Sequence, residues 1–211
     1  MAQAMFPPMT DGQIDAAVGT LRDVLNKHRL ELLTDVAHQV LGDPALGRRL
    51  LYLFRKMIEE ANGTTIRYVE VDFARTAQQA IDAVSPYGVV QSDVAEAMPR
   101  GQNKKEYVHF FWIDVDRFLK DDEIEREYEM RGLVPVDPYT LAAVNECDST
   151  FVDEHINYTH WKDAGGNWCY FVCWRDQASY YHGFRRFVNI SRRDGMSYSG
   201  VWFAGVHKQV A

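Results

Sequence analysis

Apolar residues recur at helical spacing through the first 62 residues of the chain. Thr10 and Gln13 stand just before the first stripe, three residues apart, which is the pattern of a helix-capping box. Gly42, Asp43 and Pro44 supply a helix-ending glycine, a capping aspartate and a first-turn proline, so they separate two helices. The stripes consist of Ile14, Ala17, Val18, Leu21 and Leu25, then Leu30, Leu33, Val36, Ala37 and Val40, and finally Leu46, Leu50, Leu53, Phe54, Met57 and Ile58. This pattern predicts a helical unit over residues 1–63.

From residue 64 the pattern changes to short β-rich runs that alternate with short helical stretches. The apolar run that ends near residue 115 has apolar residues on both faces, which is typical of an interior strand. The pair Asp137 and Pro138 predicts the start of a helix, because aspartate caps and proline fits the first turn. The predicted strands are 66–73, 87–90 and 107–115, and the predicted helices are 76–84, 121–130 and 138–145.

Beyond residue 158 apolar and polar residues alternate with a period of two, which indicates strands. Glycine-containing turns at 163–166 and 193–195 predict hairpins between strands 159–162 and 167–175 and between strands 184–191 and 197–206. The chain is therefore predicted to have an α+β fold, in which the helical unit precedes a mixed region and a C-terminal antiparallel β-meander. Residues 64–211 are predicted to form either a second domain or a single domain together with residues 1–63.

Alternation within the meander predicts how its side chains divide between the two faces of the sheet. Trp168, Tyr170 and Val172 are expected on one face, with Cys169, Phe171 and Cys173 on the other. One of these two sets should be markedly more buried than the other.

The formal charge of -7 is unevenly distributed along the chain. Residues 63–150 carry a net charge of -8, whereas residues 151–211 carry +2. Because phosphate binding draws on a local excess of Lys and Arg, this acidic middle argues against a protein that coats nucleic acid. The three cysteines form no CxxC pair, and no run is apolar for the ~20 residues of a membrane helix. These features predict free thiols, a cytoplasmic location and no membrane association.

Asp114 and Asp116 form a D-x-D motif at the end of the strand predicted over 107–115. Carboxylates at a strand end hold magnesium in polymerase and cyclase palm domains, and the string IDVDRF is similar to theirs. A palm also needs a second acidic strand, which only Glu70 and Asp72 could supply here. The simpler interpretation is that Asp114 is solvated and Asp116 begins a turn.

A second candidate site lies around Cys147, where His, Cys and acidic residues are close in sequence. Zinc binding would require several of these residues to converge, and a thiol nucleophile would require a histidine partner for Cys147. Structural roles are favoured instead, with Cys147 at least half-buried and Cys169 and Cys173 as core thiols. No nucleotide- or cofactor-binding motif is present, so no cofactor is predicted. The residues of this candidate site are Cys147, Asp153, Glu154, His155 and His160.

A third candidate site is a surface in the C-terminal third, where arginines and aromatic residues are interleaved. Rings and guanidinium groups are typical of protein interfaces and of single-stranded nucleic-acid sites. Alternation places Arg185 and Arg186 on opposite faces of their strand, which disfavours a phosphate-binding groove. A protein-binding surface is therefore preferred to a nucleic-acid site. The predicted binding residues are Arg175, Tyr180, Tyr181, Phe184, Arg185, Arg192 and Arg193.

Four segments in the C-terminal part resemble uncharacterised proteins of bacteriophages and integrated mobile elements. They are 127–146 (EYEMRGLVPVDPYTLAAVNE), 157–163 (NYTHWKD), 167–170 (NWCY) and 202–208 (WFAGVHK). The resemblance covers roughly the last 85 residues and contains no catalytic motif. It implies a phage accessory or virion-associated protein.

These features together predict a non-enzymatic protein that acts through contacts with a protein partner or with its own copies. Two alternatives stay open. One is a single-stranded nucleic-acid-binding protein that uses the C-terminal Arg and aromatic surface. The other is a divalent-metal-dependent phosphoryl-transfer enzyme that uses Asp114 and Asp116.

Overall fold

A computed structural model of the protein describes residues 9–32, 34–114, 116, 118–176, 185–192 and 200–208. Contacts between Cα atoms divide the chain into two compact units, Met1–Lys56 and Met57–Ala211. Helices make up the described part of the first unit, and the second unit combines helices with a mixed sheet. The predicted α+β class is thus confirmed.

The first unit begins with helix α1 (Asp11–Lys27), which starts with the predicted capping box. The backbone N–H of Gln13 donates to Thr10 Oγ1, and the backbone N–H of Thr10 donates to Gln13 Oε1. After a short 3-10 helix (Arg29–Glu31) come α2 (Thr34–Leu41) and α3 (Leu46–Asn62), and α3 continues past the division between the units. The helix break at residues 42–44 and the helix end before Gly63 both agree with the sequence pattern.

The helices of the first unit expose their apolar stripes. No residue of α1 is buried, although the helix carries a continuous apolar stripe. Large apolar side chains that are more than a third exposed are Ile14, Val18, Leu21, Val24 and Leu25 on α1, Val36, Val40 and Leu41 on α2, and Leu50, Leu51, Leu53, Phe54, Met57 and Ile58 on α3. Among the described residues, no helix combines the length and the apolar content needed to cross a membrane.

The second unit contains the strands and helices that the sequence predicts, together with one short strand and two short helices that it does not predict. Its strands are β1 (Thr64–Glu70), β2 (Gly88–Val90), β3 (Lys105–Ile113), β4 (Leu133–Pro135), β5 (Asn157–Lys162), β6 (Trp168–Asp176), β7 (Arg185–Arg192) and β8 (Val201–His207). Its helices are α4 (Ala77–Val84), α5 (Ser92–Glu96), α6 (Asp121–Met130), α7 (Pro138–Cys147) and α8 (Ser149–Glu154). Strand β1 ends before the predicted residue 73 because the Asp72 carboxylate accepts a hydrogen bond from the Ala74 N–H and closes a turn.

The described strands form one eight-stranded sheet in the order β1-β3-β8-β5-β6-β7-β2, and β4 pairs with β8. Neighbouring strands are antiparallel except in two pairs, β5 with β8 and β2 with β7, which are parallel. Strand β3 lies between β1 and β8, in the interior position that its apolar pattern predicts.

The C-terminal meander contains three strands rather than four. Strands β5, β6 and β7 pair in sequence order, as predicted. Strand β8 was expected to pair with β7, but it lies between β3 and β5 and runs parallel to β5. The predicted hairpin between β7 and β8 is therefore wrong. Strand β8 forms backbone hydrogen bonds with β3 and β5, and β7 pairs with β2 instead.

Each face of the sheet has its own apolar core. The first face, which includes Phe110, Phe171 and Val188, packs against α4, α5, α7 and α8. The second face, which includes Phe111 and Phe203, packs against Ile124 and Tyr128 of α6.

The predicted division of side chains along β6 is confirmed. Cys169, Phe171 and Cys173 lie on the first face and are at most 1% exposed. Tyr170 and Val172 lie on the second face, where Val172 is only partly buried.

Candidate interaction surface

Three rings and one guanidinium group form a row across the second face of the sheet, which we call the aromatic row. Trp174 of β6 stacks on Phe187 of β7 at a centroid distance of 5.6 Å and an interplanar angle of 22°. Phe187 lies 6.2 Å from the ring of Tyr87, which precedes β2. The Arg185 guanidinium lies over the Tyr87 ring, 4.6 Å from its centroid. Stacked rings with an arginine over one of them make a rigid apolar surface, and Asp176 lies directly opposite Arg185 in the strand register, so both charge signs are present at its end.

The strand register explains why these side chains meet. Trp174 is directly opposite Phe187 in the antiparallel pair of β6 and β7, so both point to the same face. Tyr87 immediately precedes β2, whose first residue is paired with Val188 of β7. The row remains accessible, since Tyr87 is 42% exposed and Trp174, Phe187 and Arg185 are only partly buried.

Sequence reasoning placed one member of this row, Arg185, among the binding residues. Tyr87 was missed because it lies about a hundred residues away in sequence and joins the row through the parallel pair of β2 and β7. The predicted residues Tyr180, Tyr181, Phe184 and Arg193 lie outside the described residues.

The described candidate arginines do not share one face. Arg175 is paired with Arg186, one position away from Arg185 along β7, so Arg175 and Arg185 point to opposite faces. Arg186 makes a bidentate contact with Asp153 of α8, at 2.7 and 3.0 Å, which raises the pKa of the guanidinium. This contact places Arg186 on the first face, as the alternation predicts.

Arg192 has a structural role between two acidic side chains. Its Nε donates to Asp163 Oδ2 at 2.6 Å, and its Nη1 donates to Asp93 Oδ2 at 3.1 Å. The backbone N–H of Asn167 and the Arg192 guanidinium hold the pKa of Asp163 at about 2. The cation thereby connects the β5–β6 turn to α5, and its charge is balanced within the protein.

The D-x-D residues Asp114 and Asp116 are exposed and do not meet the other acidic strand. The Asp116 N–H donates to Asp114 Oδ1 at 3.3 Å, so the pair closes a local turn. Glu70 is paired with Lys105, at the opposite end of β3. Nine residues of extended strand separate Lys105 from Asp114, which is roughly 30 Å. The register therefore keeps Glu70 away from the D-x-D motif.

The residues of the second candidate site, around Cys147, point in different directions. His155 contacts Phe151 and Trp202, whereas Asp153 binds Arg186. Among the described residues, no three His, Cys, Asp or Glu side chains are arranged to hold a metal ion.

The thiol of Cys147 does not have the environment of a nucleophile. Cys147 is exposed, contrary to the expectation of at least half burial, because it occupies the last turn of α7. Partial desolvation and the Glu146 carboxylate raise the pKa of its thiol. An activated thiol requires the opposite shift. Cys169 and Cys173 are buried, as predicted.

A cluster that sequence reasoning missed surrounds His160, whose ring is fully buried on the second face. Its Nε2 lies 2.7 Å from Glu125 Oε1, and its Nδ1 lies 3.8 Å from Asp121 Oδ1, without the alignment of hydrogen bonds. The ring stacks on Trp168 at a centroid distance of 4.6 Å. Asp121 and Glu125 are four residues apart, the helical spacing that places both on one side of α6. Because they face different ring nitrogens, they do not converge on one metal position and instead connect α6 to β5.

The aromatic row is an accessible group of stacked rings with an arginine on the described surface. Large rigid rings and an arginine are the side chains that most often dominate binding energy in protein interfaces.

The chain has no match among protein-family models, curated proteins or solved structures.

Proposed function

We propose that this protein acts without catalysis, by binding a protein partner through the aromatic row on the second face of its sheet. The observation that carries the proposal is the stacking of Trp174 on Phe187, next to Tyr87 and Arg185, on an accessible part of the sheet. Such rings bury a large area on binding at little cost in side-chain entropy, and an arginine at their border adds a directional contact.

The arrangement of the arginines favours a protein partner over single-stranded nucleic acid. A site that follows a phosphate backbone needs several cations on one face. Arg185 lies on the second face, whereas Arg186 and Arg192 are bound to Asp153, Asp163 and Asp93. One cation beside three rings is a composition suited to a protein interface.

The same proposal includes a phage accessory or virion-associated role in the cytoplasm of a bacterial host. The sequence pattern of the C-terminal segments supports the phage origin. The free thiols of Cys147, Cys169 and Cys173 support a reducing compartment.

The test begins by identifying partners with the intact chain as bait, and then measures the affinity of each purified partner for the variants Phe187→Ala and Arg185→Ala. Truncation of a central ring should weaken binding by about ten-fold or more, since such residues commonly contribute more than ~1.4 kcal/mol. Tyr107→Ala is the matched control, because Tyr107 is a 57% exposed ring on a different part of the sheet. Binding should be unchanged in the control.

Labelled single-stranded DNA and RNA are titrated in parallel at several salt concentrations. Tight binding that weakens steeply with salt and is lost in Arg185→Ala would overturn the proposal in favour of a nucleic-acid-binding protein. Equal partner affinity of the wild type and Phe187→Ala would remove the aromatic row from the interface.

A further inference from the structure

We draw no further inference here: the strongest candidate, the exposed apolar surface patches along helices α1 and α3, carries none because nothing in the part of the chain that the structure describes shows what covers them.

Discussion

Asn145 of α7 and Asn157 of β5 exchange two side-chain hydrogen bonds. Each Nδ2 donates to the Oδ1 of the other residue at 2.8 Å, and both side chains are at most 1% exposed. The remaining donor of Asn145 binds the Leu141 carbonyl, and that of Asn157 binds the His155 carbonyl. The amide pair thus connects α7 to the centre of the sheet with its buried polar groups paired.

We expect Asn157→Ala to lower the free energy of unfolding by about 1–3 kcal/mol, because it leaves the buried amide of Asn145 without its partner. Denaturant unfolding measures the change. The double variant Asn145→Ala with Asn157→Ala should cost less than the sum of the single variants, since it leaves neither amide unpaired. Additive costs would contradict the prediction.

The stability of the protein is expected to fall as the pH is lowered from about 6.5 to about 4. Burial, with a smaller contribution from the neighbouring His207 ring at 4.4 Å, lowers the pKa of His109 to about 4. The unfolded chain binds a proton at its ordinary value near 6.5, so the unfolded state gains protons first and stability decreases. Solvent screening of the partly exposed ring limits the loss to about 1–2 kcal/mol.

Unfolding measured at a series of pH values checks this expectation. His109→Gln removes the titrating group, and the slope of stability against pH between 6.5 and 4 should become smaller. An unchanged slope in His109→Gln would show that other groups cause the acid sensitivity.

Gly88→Ala is expected to disrupt the pairing of β2 with β7. A Cβ atom on Gly88 would lie 1.8 Å from the Val188 carbonyl oxygen, so the strands would have to separate. We expect a loss of about 1–3 kcal/mol in the free energy of unfolding. Because Tyr87 precedes β2, partner binding through the aromatic row should weaken as well.

Val89→Ala, at an exposed position of the same strand, should change the free energy of unfolding by about 0.5 kcal/mol or less. Equal effects of the two variants would contradict the steric explanation.

The double variant Asp114→Asn with Asp116→Asn is expected to retain the stability and partner binding of the wild type. Asparagine keeps a side-chain oxygen that can accept the hydrogen bond from the N–H of residue 116, so the local turn is preserved. Calorimetric titration with Mn²⁺ should give no saturable binding at this motif in either protein. Saturable Mn²⁺ binding by the wild type that the variant loses would restore the metal-dependent alternative.

Local sequence signals predicted the longer helices of this protein accurately, whereas the short helices α5 and α8 were not predicted. The capping pair Thr10 and Gln13 marks the start of α1, and Asp137 with Pro138 marks the start of α7. Helix α6 occupies the predicted residues 121–130. These signals succeed because capping, first-turn proline and side-chain periodicity act between residues a few positions apart.

The sequence by itself determined the α+β class, the longer helices and the division of side chains between the faces of β6. The tertiary structure alone decided that β8 lies between β3 and β5, that Tyr87 joins Trp174 and Phe187, and that His160 lies between Asp121 and Glu125. The physical reason is that backbone hydrogen-bonding groups are the same along every strand edge, so no local pattern specifies which strand will be the neighbour. Strand order depends on how the complete set of apolar faces packs, and residues distant in sequence meet only as a result of that packing.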